Sequence, residues 1–112
     1  AHGGGTLAAV AGRLQRGQDT GRDGASPAGP TVRQALRRFC VDCITHDAAS
    51  LELAAETFGE HHVVFGSDWP FAMGLQKPQQ QLAGVAPALL AKIIGHNAAA
   101  LREKYDPEQA NS

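Results

Sequence analysis

The 112-residue sequence is short of aromatic residues, has two cysteines, holds no long apolar run and carries no strong charge of either sign. Each shortage removes a class of protein. Aromatics make up only 5% of the chain, and much of its 43% apolar content is alanine, which contributes little burial per residue. A core built from these residues alone is thin, in a size range where domains already bury a low fraction of their surface. Cys40 and Cys43 cannot build a disulfide framework, so nothing suggests a stapled secreted scaffold. The apolar runs are too short to span a bilayer, and no basic leader precedes an apolar stretch. A cytoplasmic location and no membrane partner are therefore expected. The net charge of −1 gives no reason to expect a nucleic-acid partner.

What is present is unevenly placed. Residues 1–46 carry six arginines against three aspartates, whereas residues 47–112 are acidic. The chain opens on Ala1-His2-Gly3-Gly4-Gly5 without an initiator methionine, as though its numbering began inside a longer protein. Residues 12–30, rich in glycine and proline, read as a long flexible loop. A short helix is expected from Thr31 to Arg38. Phe39–Thr45 reads as a buried strand. Asp47 then caps a helix whose Leu51, Ala54, Ala55 and Phe58 form one apolar face, ended by Gly59. His62–Gly66 is a second strand, followed by a loop containing Gly74 and Pro78. A helix over Pro87–Ile94, stopped by Gly95, and a last one from Ala98 to Tyr105 capped by Asn97 complete the barrel portion at residue 105. Residues 106–112 form a polar tail.

Strand, helix, strand, helix in that order implies parallel strands joined by crossover helices. Parallel sheets need more strands than two, and helices on both faces, so further strands are expected from elsewhere. In such architectures functional side chains gather where strands end. Asp68, directly after the second strand, is a metal ligand, a base or a turn cap. His2 is a ligand, a base or a plain loop residue beside three glycines. The residues alone leave these alternatives open.

A family resemblance narrows them. His2-Gly3-Gly4-Gly5, then Gly12-Arg13, Phe39-Cys40-Val41-Asp42, Thr45-His46-Asp47, Gly66-Ser67-Asp68-Trp69-Pro70-Phe71, Met73-Gly74 and Gly95-His96-Asn97-Ala98 occur in an order and spacing that resemble the decarboxylase branch of the amidohydrolase superfamily. That group contains the aminocarboxymuconate-semialdehyde decarboxylases. The resemblance runs from residue 2 to about residue 102. It implies an α/β fold, the C-terminal portion (about strands 6–8 and their helices) of a (β/α)8 TIM barrel, incomplete as a barrel. It also implies a divalent metal cofactor, zinc by preference, and a small-molecule carboxylate substrate. His2 matches an acid/base histidine that in some members ligates metal, and Asp68 a metal-ligating aspartate. Arg13 matches an arginine that reaches substrate in a neighbouring subunit, which implies a homodimer. Trp69 is placed at the pocket mouth as a substrate-binding candidate. The implied reaction is decarboxylation, with metal-dependent hydrolysis on the same barrel as the alternative and a small anion-binding module as a third, non-catalytic one.

The family's His-x-His triplet and its lone fifth-strand histidine have no counterpart here. The chain by itself is therefore expected to be inactive and marginally folded. Several residues carry plainer expectations. Cys40 and Cys43 fall on opposite faces of a strand and belong to structure. Asp42 needs a partner inside an apolar strand and reads as part of a structural network. His46 is a rim candidate, whereas His61, His62 and His96 read as structural.

Overall fold

The computed structural model describes residues 1–24, 28–106 and 108. After a 3-10 turn at His2–Gly4 come α1 (Leu7–Asp19), a second 3-10 turn (Arg22–Gly24), α2 (Val32–Leu36) and β1 (Val41–Asp42). Then follow α3 (Ala48–Phe58), β2 (Val63–Val64), α4 (Pro78–Gln81), α5 (Pro87–Ala91) and α6 (Asn97–Tyr105). The strands pair in parallel, Val41 with Val63 and Asp42 with Val64, and α3 makes the crossover between them.

The β1–α3–β2 unit follows the expected pattern. Asp47 caps α3 by accepting from the Ser50 N–H at 2.8 Å and from the Ser50 hydroxyl at 2.5 Å. Leu51, Ala54, Ala55 and Phe58 are all buried, and Gly59 ends the helix at φ 100°. They meet Val41, Cys43, Ile44 and Val63 from the strand layer and Leu82, Val85, Leu89 and Ile93 from the C-terminal helices in one core. Phe58 is the largest of its fully buried side chains. Thr31 and Gln34 close a reciprocal capping box at the start of α2.

Four expectations are corrected. First, much of the supposed loop 12–30 is helix, since α1 runs to Asp19 despite Gly12 and Gly17. The stripe Leu7, Ala8, Ala11, Gln15, Gln18 faces inward, and two of its members are polar. The Gln15 and Gln18 side chains accept from the Arg33 and Val32 N–H groups, so these glutamines serve the start of α2. Residues 25–27 of that stretch lie outside the described residues. Second, the strands are only two residues each, and Phe39, expected in a buried strand, is half exposed. Third, Pro78 starts α4 within the presumed loop.

Fourth, Gly95 does not stop a helix and Asn97 does not cap one. A π turn over Lys92–His96 joins α5 to α6 without a break. The Asn97 N–H bonds the Lys92 carbonyl, and the Ile93 carbonyl accepts from Phe65 N–H at 3.1 Å instead. The Asn97 side chain is buried and donates to the carbonyls of Glu60 (2.6 Å) and Val63 (2.7 Å). Of the polar tail, Asp106 and Glu108 are described and the remainder lies outside the described residues.

The molecule is open. Its accessible surface is 7657 Å², against roughly 5,900 Å² for a compact monomer of this mass. Its radius of gyration is 16.0 Å, against about 13 Å for a compact chain of this length. Phe39, Phe65, Ile94, Trp69, Phe71 and Met73 contribute large exposed apolar side chains. No helix among the described residues is long and apolar enough to cross a membrane.

Candidate active site at the strand ends

Asp42 is the acidic residue inside a strand otherwise built for burial. Its carboxylate accepts from three directions: the His2 ring at Nδ1 (2.5 Å), the Gly3 N–H (2.9 Å) and the Ile44 N–H (3.1 Å). Partial burial alone would raise its pKa. The bond from His2 and the two amides prevail and hold it below the usual carboxylate range. With Nδ1 committed to Asp42, the ring presents Nε2 on its other side, where Asp68 Oδ2 lies 3.6 Å away. The hydrogen bond to Asp42 and its charge raise the His2 pKa above the ordinary imidazole value, and Asp68 adds in the same direction. The sequence signal for Asp42 was its lone charge among apolar neighbours. Its partner, 40 residues away, was not legible.

The glycines after His2 set this geometry. Gly4, at φ 81°, packs so closely that a Cβ there would sit 2.5 Å from the Phe58 ring. The chain thereby turns tightly over the core and delivers His2 to Asp42. Asp68 follows β2 in a compact loop, with its backbone at φ 55°. Leu75 N–H closes that loop on the Ser67 carbonyl at 2.7 Å, and Phe71 N–H bonds the Asp68 carbonyl at 3.0 Å.

The structure thus brings His2, Asp42 and Asp68 together. Trp69 adjoins them, with 73% of its surface exposed. Arg13 is exposed on α1 and is not among the residues lining the cavity of about 300 Å³ beside His2, whose walls include Ala8, Ala9, Thr45, Ser50 and Leu53. His46 turns its ring to the Met73 carbonyl at 2.5 Å. His62 bonds the Phe58 carbonyl at 2.6 Å, while Cys40 is exposed and Cys43 buried.

As a metal site the pair is partial. His2 Nε2 and the Asp68 carboxylate are suitable donors, and a carboxylate behind the imidazole is the usual outer support of a ligating histidine. Among the described residues no group of three or more His, Cys, Asp or Glu side chains forms a metal-binding cluster.

The family profile described as Amidohydrolase matches residues 1–101. The chain is 31% identical over 102 residues to a 2-amino-3-carboxymuconate-6-semialdehyde decarboxylase of Dictyostelium discoideum, covering 88% of this chain and 28% of that protein. A Caenorhabditis elegans protein of the same name is 35% identical over 77 residues, or 66% of this chain and 19% of the relative. Among solved structures, Metarhizium anisopliae IDCase in its apo form superposes with a TM-score of 0.72 at 25% identity, over 89% of this chain and 32% of that one. The chain therefore spans less than a third of the length of each of these relatives.

Proposed function

The chain belongs to the amidohydrolase family, and from that premise we propose that it forms the C-terminal part, about strands six to eight, of a (β/α)8 barrel whose whole is a metal-dependent carboxy-lyase. The convergence of His2 and Asp68 at 3.6 Å carries this reading. Asp68 would hold part of a divalent ion's coordination sphere, zinc being the preferred ion, while His2 Nε2 stays free to carry the proton. When bound, such an ion supplies Lewis-acid polarisation of substrate oxygens and lowers the pKa of water. The surface in excess of a compact monomer, with Phe65 and Ile94 in the open, is consistent with apolar faces that the rest of a barrel covers.

In this reading Asp42 keeps the His2 proton on Nδ1 and the imidazole aimed at the substrate, and charge on Asp42 stabilises the protonated ring. His2 delivers a proton from Nε2 to the substrate carbon that bears the carboxylate. The bond to that carboxylate then breaks, its electron pair returns to the unsaturated system, and carbon dioxide leaves. Trp69 flanks the mouth as a substrate-binding residue. Arg13, whose planar fork suits a carboxylate, acts in the neighbouring subunit of a homodimer.

The test uses the whole protein loaded with zinc and, as probe, the 2-amino-3-carboxymuconate-6-semialdehyde for which the relatives are named. We expect carbon dioxide release, a loss of about 100-fold or more in kcat for His2→Ala, and loss of bound zinc for Asp68→Ala. Hydrolysis of ester or amide probes without carbon dioxide release would assign the hydrolytic alternative. Full turnover by Asp68→Ala would end the proposal.

A further inference from the structure

We propose that His46 is a positioning residue for Asp68, acting as a clamp that fastens the Ser67–Leu75 loop from across the site. The toward-metal half of this inference rests on the function proposed above, whereas the clamp rests on geometry alone.

His46 and Asp68 occupy matching places in the two strand units, each four residues beyond the end of its strand. Among the described residues they are the two non-glycine positions with positive φ, at 54° and 55°. Aspartate and histidine tolerate that conformation better than most residues, yet it is uncommon, and it collects at sites where a side chain must be aimed. Two such residues facing one rim make a paired arrangement.

The loop between Ser67 and Leu75 is shaped by its own backbone and by Gln76 just beyond it, whose side-chain amide donates to the Phe71 carbonyl at 2.6 Å. Phe71 N–H bonds the Asp68 carbonyl, Gly74 N–H the Phe71 carbonyl, and Leu75 N–H the Ser67 carbonyl. Gly74 passes so near the Ser67 and Asp68 carbonyls that no Cβ fits there. Packing holds the outer part of the loop only weakly, because Trp69, Phe71 and Met73 are 73%, 65% and 77% exposed. The bond from His46 comes from outside the loop, 27 residues away in sequence, and lands on the Met73 carbonyl just before Gly74. It therefore ties the weakly packed limb to the loop after β1, whose base carries Asp42. Through Gly74 and the Ser67–Leu75 closure, fixing Met73 fixes Asp68. The acceptor is backbone, so the Met73 side chain is dispensable.

Trp69 is the sole tryptophan of this sequence and stands next to Asp68, so its fluorescence reads the loop directly. His46→Asn suits the left-handed backbone but stops short of Met73, while His46→Gln reaches far enough to donate. The experiment uses the whole protein, with any tryptophan outside these residues replaced. In the metal-free state, His46→Asn should lower Trp69 anisotropy and increase quenching by acrylamide. With zinc as probe, its affinity should fall about 10-fold or more, the range for lost support around a ligand. His46→Gln should recover most of both, and Met73→Ala should match wild type. Wild-type anisotropy and zinc affinity in His46→Asn would overturn the proposal, as would a Met73→Ala defect equal to that of His46→Asn. Failure of the wild-type protein to bind zinc would instead strike the proposed function, while metal-free anisotropy would still decide for or against the clamp.

Discussion

Gly4→Ala should destabilise the protein far more than any ordinary surface substitution. At φ 81° an alanine enters the left-handed region, which costs an L-residue roughly 1–2 kcal/mol. Its methyl group would also stand 2.5 and 2.6 Å from two Phe58 ring carbons and 3.2 Å from Val41 Cγ1. Phe58 is fully buried, so the ring cannot swing into solvent, and such overpacking adds roughly 1–3 kcal/mol. The expected total is roughly 2–5 kcal/mol. Gly17→Ala is the matched control: it lies inside α1, meets nothing within 4 Å, and should stabilise by roughly 0.5–1 kcal/mol. Urea unfolding of wild type and both variants, compared at constant slope, reads the difference. Equal midpoints for the two variants would refute the reasoning, because the argument requires effects of opposite sign. Gly4 also sets His2 over Asp42, so any folded Gly4→Ala protein should lose activity beyond its loss of stability.

Asn97→Ala should cost roughly 1–3 kcal/mol in the same assay, since the buried Val63 carbonyl and the part-buried Glu60 carbonyl both lose the Asn97 donor; Asn97→Asp, which cannot donate to them when ionised, should be no better. The Ser50 hydroxyl and N–H hold the Asp47 pKa down, and Lys92 does the same for Glu60. Both groups therefore contribute stability that is complete above the usual carboxylate range and lost as pH falls through their lowered values. Melting temperature followed from neutral to acid pH should fall less steeply in Asp47→Ala and in Glu60→Gln than in wild type. Cys40 is exposed, whereas Cys43 is buried with its pKa raised by that burial. A disulfide thiol reagent should therefore label Cys40 promptly and Cys43 only on unfolding, and equal labelling rates would contradict the packing described.

Legibility of the chain varied with the range of the interactions involved. The capped helix from Asp47 to Gly59 could be read because cap, apolar spacing and terminator are all local. The first helix was hidden because its inward stripe includes Gln15 and Gln18, whose partners lie at Val32 and Arg33, and because two glycines weighed toward a loop. The meeting of His2 with Asp68 followed from a resemblance and from the rule that strand ends carry function. The intervening Asp42 had a visible need but no visible partner, because a contact spanning 40 residues leaves no local pattern. The rim position of His46 is legible from its place after a strand, whereas the approach of its ring to the Met73 backbone, 27 residues away, is not. Gly95 signals an ending by composition, yet the backbone there widens instead of stopping.

That widening has a consequence for chain length. A π turn stores one residue more than an α turn, so α5 and α6 behave as two rods with a single residue of slack between them. Removing Gly95, which no side chain crowds, could let the rods join as one regular helix with Ile93 and Asn97 still facing β2. The shortened version would return the Ile93 carbonyl to the helix ladder and leave the Phe65 amide without its acceptor, two steps ahead of the turn that carries Asp68. The spare residue is what lets a helix finish a strand.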